Sequence, residues 1–417
     1  MNMNILQKTK KSVDRVLLVA GKSADAAILP APTHSGTSVV RWGLVKGLAA
    51  NGVAVGYYSA SPYSWEKNKA KGSDIEAVLG ADGFWFDKPG PQVTAESVAA
   101  LDEVLALFRP DVVLAYGHES VLLVRSSRYL GPIGLMSTDL EFLPKLYKAL
   151  HFLRFGSAEK RRATLFALPQ TLRTIIGRRR AVMRCYPSAD FIINHAAHHA
   201  EWHRRRHAMK TLYVPNPVEA RYDSLPEKNF ADPPRFLLLG GLAGAATQPG
   251  LAWFATKVYP KIEQDIVAGR LEVHLAGRSE LRTPIIQRMR HVVQRGYIDD
   301  LDEEMGEVTA ILVPTPIKLG ARVRILEAFR YGVAVISHKA NKAGMPEIEH
   351  NRNVLLASSG QEFADAMLRL AAHEEDAVRL GRMAFEDFSR ELNSTVSARR
   401  ILRFMEEEVM GECDEVI

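Results

Sequence analysis

The chain has 417 residues, 47% hydrophobic and 24% charged, with 54 Lys and Arg against 48 Asp and Glu and a formal net charge of +6. That length exceeds one ordinary core, and the composition is that of a soluble globular protein of two domains. Two distant cysteines, Cys185 and Cys413, exclude a disulfide framework or a cysteine zinc site, and no run approaches the roughly 20 apolar residues that span a bilayer.

The start, MNMNILQKTKKSVD, carries lysines without the apolar segment of a secretory signal, so a cytoplasmic location is expected. Residues 15–20 (RVLLVA) predict a short buried strand, and the Pro/Gly-rich loop 30–36 (PAPTHSG) leads into an amphipathic helix over 38–51. Strands are predicted at 53–59, at 112–115 running into Tyr116, Gly117 and His118, and at 132–136 running into Thr138, Asp139 and Glu141. A basic helical region follows, then strands at 191–194 and 211–214. The VPNPV run and the polar stretch 223–234 predict the linker.

A second series follows, with strands at 236–239, 273–276, 292–295, 310–313, 333–337 and 354–356 and helices between them near 249–263, 283–290 and 322–331. Three helical stretches close the chain, at 361–372, 376–391 and 396–410. Alternating short apolar strands and helices in both halves predict an α/β protein of two doubly wound, Rossmann-like domains, with ligand in the cleft outside the strand C-termini. The expected division is 1–217, 218–395, and a last helix over 396–417.

The most informative stretch is 311–357. Strand, Gly loop, helix, Gly and strand follow one another there, with Gly320 before the helix and Gly332 after it. Such a helix N-terminus suits an anion, and Arg322 and Arg324 oppose its dipole unless one is bound. An ordinary crossover helix with surface arginines fits the same local pattern.

Gly320, Arg322, Arg324, Glu327 within Leu326 to Ala328, Gly332, Gly344, Glu347 and Asn353 resemble the donor-site block of family 4 retaining glycosyltransferases. The spacing G-x-x-x-R-x-L-E-A is similar to that of the bacterial polysaccharide-type branch. The resemblance implies the two-domain GT-B fold and a last helix that crosses back onto the N-terminal domain. It also implies a nucleotide-diphosphate sugar as co-substrate and a saccharide or lipid-linked saccharide as acceptor.

It assigns donor binding to Gly36, Gly240, Gly241, Arg278, Gly320, Arg322, Arg324 and Glu327, with Glu327 on the ribose hydroxyls. Tyr297 and Ile298 resemble the segment beside the base. His118 resembles a strand-end site histidine, and Asp139 stands near the position where many members carry a catalytic-site His. Two departures matter. The turn 240–250 (GGLAGAATQPG) has no Arg or Lys, so phosphate charge falls on Arg322 and Arg324, and position 319, where a sugar-contacting Glu is common, is Leu.

Between residues 145 and 210 fifteen Lys and Arg face three acids, Glu159, Asp190 and Glu201. The arginines, Arg178 to Arg180 among them, interleave with Leu165, Phe166, Leu172 and Ile176, as in a basic amphipathic surface segment. An anionic membrane surface is the partner expected, with a solvated helix pair as the bland reading. Nucleic acid is not expected, since aromatic platforms are missing. His195, His198, His199, His203 and His207 lie beside Arg204 to Arg206, whose charge disfavours a dication, so no metal or other cofactor is expected. Rival readings are a GT-B-like sugar-nucleotide epimerase, which needs an acid/base cluster at the sugar carbon, and a non-catalytic basic adaptor.

Overall fold

The computed structural model describes residues 12–20, 36–59, 84–87, 93–137, 139–207, 209–241, 244–277, 284–298 and 300–410. Two parallel sheets organise them. The first holds β1 (Arg15–Ala20), β2 (Ala54–Ser59), β3 (Phe84–Asp87), β4 (Val112–Tyr116), β5 (Ile133–Ser137), β6 (Phe191–Asn194) and β7 (Lys210–Tyr213), in the order β3-β2-β1-β4-β5-β6-β7. The second holds β8 (Arg235–Leu239), β9 (Glu272–Ala276), β10 (Val293–Gly296), β11 (Ala310–Val313), β12 (Ala334–His338) and β13 (Leu355–Ala357), in the order β10-β9-β8-β11-β12-β13.

The central strands are unbroken apolar runs because helices cover both faces of each sheet. Leu18, Leu114 and Ile193 enter one N-terminal core while Leu17, Val113 and Ile192 enter the other. The C-terminal sheet divides in the same way, with Phe236 and Leu312 on one face and Leu237 and Ile311 on the other.

Strand order reverses between β1 and β4 in the first sheet and between β8 and β11 in the second. At each reversal the following loops diverge and leave a crevice at the strand C-termini. The two crevices face one another. The Ala197 N–H donates to Gly344 O at 3.1 Å, and the Tyr213 hydroxyl donates to Glu347 Oε2 at 2.9 Å.

The crossover from β5 to β6 is three helices, Leu143–Phe155, Ala158–Phe166 and Leu168–Cys185. Prolines occupy the first turn of the first and third, where a missing N–H costs nothing, and the Ser157 hydroxyl caps the second. The helix Ala158–Phe166 buries none of its residues. Arg178 turns away from Arg179 and Arg180, and reaches Glu141 Oε2 at 3.3 Å.

After the helix Glu374–Asp387 the chain crosses to the N-terminal half, where Ser394–Phe404 packs on the helix Gly36–Ala50. Ala398, Ile401 and Met405 join Leu44 and Leu48 in that core. The two crossings run side by side, since Val218 and Asn393 form an isolated parallel bridge and Ser394 N donates to Val218 O at 2.8 Å.

Among the described residues, β3 and the helices Ala95–Phe108, His118–Arg125, Ala197–His207 and Leu301–Glu307 lie outside the predicted set; Thr94 and Ser97 form a capping box on the first of these helices and Asp300 caps the last.

Candidate active site

The site begins where the loops after β8, β9 and β11 meet. Gly240 has φ +134°, and a Cβ there would lie 3.1 Å from Arg324 Nη2. Only a residue without a side chain lets this guanidinium lie against the turn. Arg324 Nη2 also donates to Thr247 Oγ1 at 2.8 Å, at the start of the helix Thr247–Trp253. Leu239, Thr247, Pro314, Thr315 and Arg324 line a partly open pocket of about 10 Å³. That is room for roughly one water and too little for a phosphate.

Arg322 occupies the N-cap position of the helix Val323–Arg330, in extended backbone, and Arg324 follows within its first turn. Arg322 is buried, and its Nε has no hydrogen-bond partner among the described residues. Burial lowers its pKa, and Asp139 is the acid that offsets this. For Arg324, burial and then the Arg322 charge lower the pKa to about 10. Among the described residues neither guanidinium pairs with a carboxylate within hydrogen-bonding distance. Two cations desolvated side by side are costly without an anion.

Glu327 lies one turn further along the same helix and is 8% exposed. Its Oε2 pairs with Arg330 Nη2 at 2.7 Å, while Oε1 is buried with no hydrogen-bond partner among the described residues. Burial raises its pKa, opposed by the Arg330 and Arg221 charges. A buried acceptor left unsatisfied is what incoming hydroxyl groups would complete.

The opposite wall comes from the N-terminal sheet. A Cβ on Gly320, which has φ +59°, would lie 2.4 Å from Asp139 Oδ1, so Asp139 rests directly against the C-terminal glycine turn. His199 Nδ1 is 3.8 Å from Asp139 Oδ1, and His198 Nδ1 faces Ala343 O at 3.0 Å. His118 begins the helix His118–Arg125, directly after Gly117, which has φ +79°. Glu141 meets it twice, through Oε1 to the backbone N–H at 3.0 Å and through Oε2 to Nδ1 at 2.7 Å.

The structure thus brings together Asp139, Gly320 and Arg322 across the cleft, and Gly240 with Arg324 on its C-terminal side. His118 belongs to a separate cluster with Glu141 and Arg178. Gly36 is described only as the first residue of its helix. Arg278, Thr138 and the loop residues Thr33 to Ser35 lie outside the described residues. Gly241 has open space where a Cβ would stand, so no close approach requires it to be glycine. Tyr297 and Ile298 border a cavity of about 220 Å³ shared with Arg295, Asp300 and three glutamates.

Glu141, Arg178, Thr247, His198 and His199 were not singled out for these roles from sequence. Glu141 stands two residues after Asp139 in one short polar run, and nothing local says which carboxylate reaches His118. Burial lowers the pKa of His195 to about 4 and of His203 to about 3, keeping both neutral. Among the described residues no three His, Cys, Asp or Glu side chains are grouped as a metal site.

Residues 233–373 match the family model described as Glycosyl transferases group 1. No curated protein sequence matches the chain. Among solved structures, sucrose-phosphate synthase from Thermosynechococcus elongatus is similar at TM-score 0.60 and 16% identity, over 94% of this chain and 98% of that one. A glycosyltransferase from Rickettsia africae is similar at TM-score 0.64 and 10% identity, over 96% and 100%. HepE from Anabaena, in complex with UDP and glucose, is similar at TM-score 0.60 and 12% identity, over 94% and 99%. At such identities the likeness speaks for the fold, and the family match speaks for the activity. The chain is a glycosyltransferase built on the GT-B fold.

Proposed function

We propose that this glycosyltransferase is a retaining enzyme of the family 4 type, which moves a sugar from a nucleotide-diphosphate sugar to a saccharide or lipid-linked saccharide in cell-surface polysaccharide synthesis. The observation that carries the reading is the buried Arg322 and the half-buried Arg324, beside a Glu327 oxygen without a partner among the described residues. A diphosphate satisfies the first need and the two hydroxyl groups of a ribose satisfy the second.

In the reaction, the bond between the anomeric carbon and the diphosphate oxygen breaks, and negative charge grows on that oxygen. Arg322, Arg324 and the N-terminus of the helix Val323–Arg330 stabilise it, the work that a divalent ion does in other folds. The acceptor hydroxyl attacks the face that the diphosphate leaves, and its proton passes to the departing phosphate oxygen. Charge and atoms balance without a carboxylate nucleophile. A carboxylate is not the base in this scheme, and Asp139, against the Gly320 turn, orients the sugar.

The acceptor side faces an anionic membrane in this reading. Leu165 is 57% exposed and Phe166 is 92% exposed, on the one basic helix Ala158–Phe166 that carries Lys160, Arg161 and Arg162. No helix among the described residues is long and apolar enough to cross a membrane, so contact would be by surface docking.

The decisive experiment is a thermal-shift screen against UDP-, GDP-, ADP- and dTDP-sugars, followed by NMR assignment of the product's anomeric configuration. Ligand binding stabilises by mass action, so one nucleotide series should raise Tm. No response to any of the four, or an inverted product, defeats the proposal. UDP-glucose is the first donor to test, because HepE has been solved with UDP and glucose.

A further inference from the structure

Arg330 stands three residues after Glu327, in the last turn of the helix Val323–Arg330, and is 7% exposed. Its guanidinium divides between two partners. Nη2 meets Glu327 Oε2 at 2.7 Å, and Nη1 makes a long contact with Glu219 O at 3.5 Å. Nε has no hydrogen-bond partner among the described residues, and the Tyr331 ring centroid lies 5.1 Å from Cζ. Glu219 is itself fixed. Its carboxylate accepts from Trp42 Nε1 at 2.6 Å and pairs with Lys46 Nζ at 3.7 Å, both on the helix Gly36–Ala50. Arg330 thus spans from Glu327 to the first crossing of the chain, one residue beyond Val218.

An arginine that serves only to neutralise a carboxylate takes both of its oxygens, in the bidentate fork that makes the strongest pair. Here the contact is with one oxygen, and Oε1 stays buried without a partner among the described residues. A buried ion pair recovers its desolvation cost only when its remaining lone pairs are also bonded. The pair is therefore incomplete until hydroxyl donors reach Oε1. The Arg221 charge also acts on Glu327, but the Arg221 guanidinium is paired with Asp302. Among the described residues no cation other than Arg330 pairs with the Glu327 carboxylate.

We infer that Arg330 is the positioning residue of the ribose site: it holds Glu327 by Oε2, with Glu219 O as its second anchor, and so keeps Oε1 free for the ribose 2′- and 3′-hydroxyl groups. This inference rests on the reading of Glu327 as the ribose acceptor. The consequence is a choice between sugars. A carboxylate fixed at one end and unsatisfied at the other favours ribose over 2′-deoxyribose, which leaves part of that need unmet.

Calorimetry on the full chain tests it, with UDP and 2′-deoxy-UDP as probes, or the GDP or ADP pair where the thermal-shift screen selects that base. Wild-type protein should prefer the ribonucleotide about tenfold, the weight of one hydrogen bond to a charged group. Arg330→Lys keeps the charge on one mobile nitrogen and should leave about a threefold preference, while Arg330→Met should leave none. In both variants the 2′-deoxy nucleotide should lose less affinity than the ribonucleotide. A merely structural arginine would lower both affinities together, or the melting temperature alone, with the ratio unchanged. Glu327→Gln, the control on the underlying reading, should also lose the preference.

A wild-type ratio in whichever of the Lys and Met variants folds, alongside a lost ratio in Glu327→Gln, overturns the positioning role and leaves the ribose at Glu327. No ribonucleotide preference in the wild type, or a ratio unchanged by Glu327→Gln, removes Glu327 as the ribose acceptor and the inference with it.

Discussion

Glu141 holds His118 by both ends of one carboxylate, taking the backbone N–H at 3.0 Å and ring Nδ1 at 2.7 Å. With Nδ1 committed, Nε2 is the nitrogen left to exchange a proton or meet a ligand. Burial alone would keep the ring neutral, but the Glu141 hydrogen bond and charge, with Glu119, outweigh it and raise the His118 pKa. Burial likewise opposes charge on Glu141, and the His118 contacts with Arg178 outweigh it and lower that pKa.

The sign of the pH dependence follows. A histidine raised above its ordinary 6.5 stabilises fully below that value, and the contribution fades as pH rises through the folded pKa. A carboxylate lowered below its ordinary 4.5 stabilises above that value and loses the contribution on acidification. Glu141→Gln should therefore cost about 1.5–3 kcal/mol near pH 6. Thermal melts should show the gap from wild type narrowing by pH 9. A gap that is constant across this range argues against a charged pair.

Arg324 is half-buried against Gly240, near the Arg322 charge, and among the described residues no carboxylate pairs with it, so it burdens the unliganded protein. Arg324→Met should leave the stability of the unliganded protein unchanged or raise it by about 1–3 kcal/mol, as uncharged replacements of buried ions often do. The same variant should lose the donor-induced thermal shift. Denaturant melts with and without the donor measure both. A large loss of unliganded stability would mean that Arg324 is a structural ion.

Glu327→Ala should weaken donor binding by about 1.5–3 kcal/mol, the range for hydrogen bonds to a charged group. Calorimetry with the free nucleoside diphosphate is the direct measurement. Unchanged affinity in a folded variant moves the ribose elsewhere.

Charge on the leaving diphosphate peaks in the transition state. Arg322→Ala should thus reduce kcat more than it weakens binding of the nucleoside alone. Activity should persist in EDTA. If chelation abolishes turnover and a divalent ion restores it, the arginines do not carry the leaving-group charge.

At Gly320 two costs superpose, φ +59° and the Asp139 oxygen 2.4 Å from where a Cβ would stand. Gly320→Ala should destabilise by about 1–3 kcal/mol. Adding Asp139→Ala should recover only the contact part, leaving the backbone part, and a double-mutant cycle separates them. Full recovery would show that the backbone conformation is unstrained.

Much of this was readable from sequence, and the parts that were not share a physical reason. Central strands such as β4 and β11 announce themselves because both faces are buried and every residue is apolar. The edge strand β3 offers only three consecutive aromatic residues, Phe84 to Phe86, shorter than the other strands' runs, and the helix Leu301–Glu307 is mostly acidic, so neither carries a strong pattern. Arg322, Arg324 and Glu327 stood out because the chemistry of one site is packed into six consecutive residues. The His118–Glu141–Arg178 cluster did not, because its members come from three elements and meet only in space. Charge counting placed Arg178 among the surface cations, yet a helix turns one residue in each short stretch toward its core.

The bridge between Val218 and Asn393 has a mechanical consequence. Both passages of the chain between the halves run through one narrow seam, beside Gly43 and Gly47, where a Cβ would lie 1.9 Å from Pro217 O and 2.3 Å from Ser394 O. Two strands of backbone fastened together act as the spine of a book. A relative motion of the halves would turn about this seam, and the contact of Asp139 with the Gly320 turn is one that it would open.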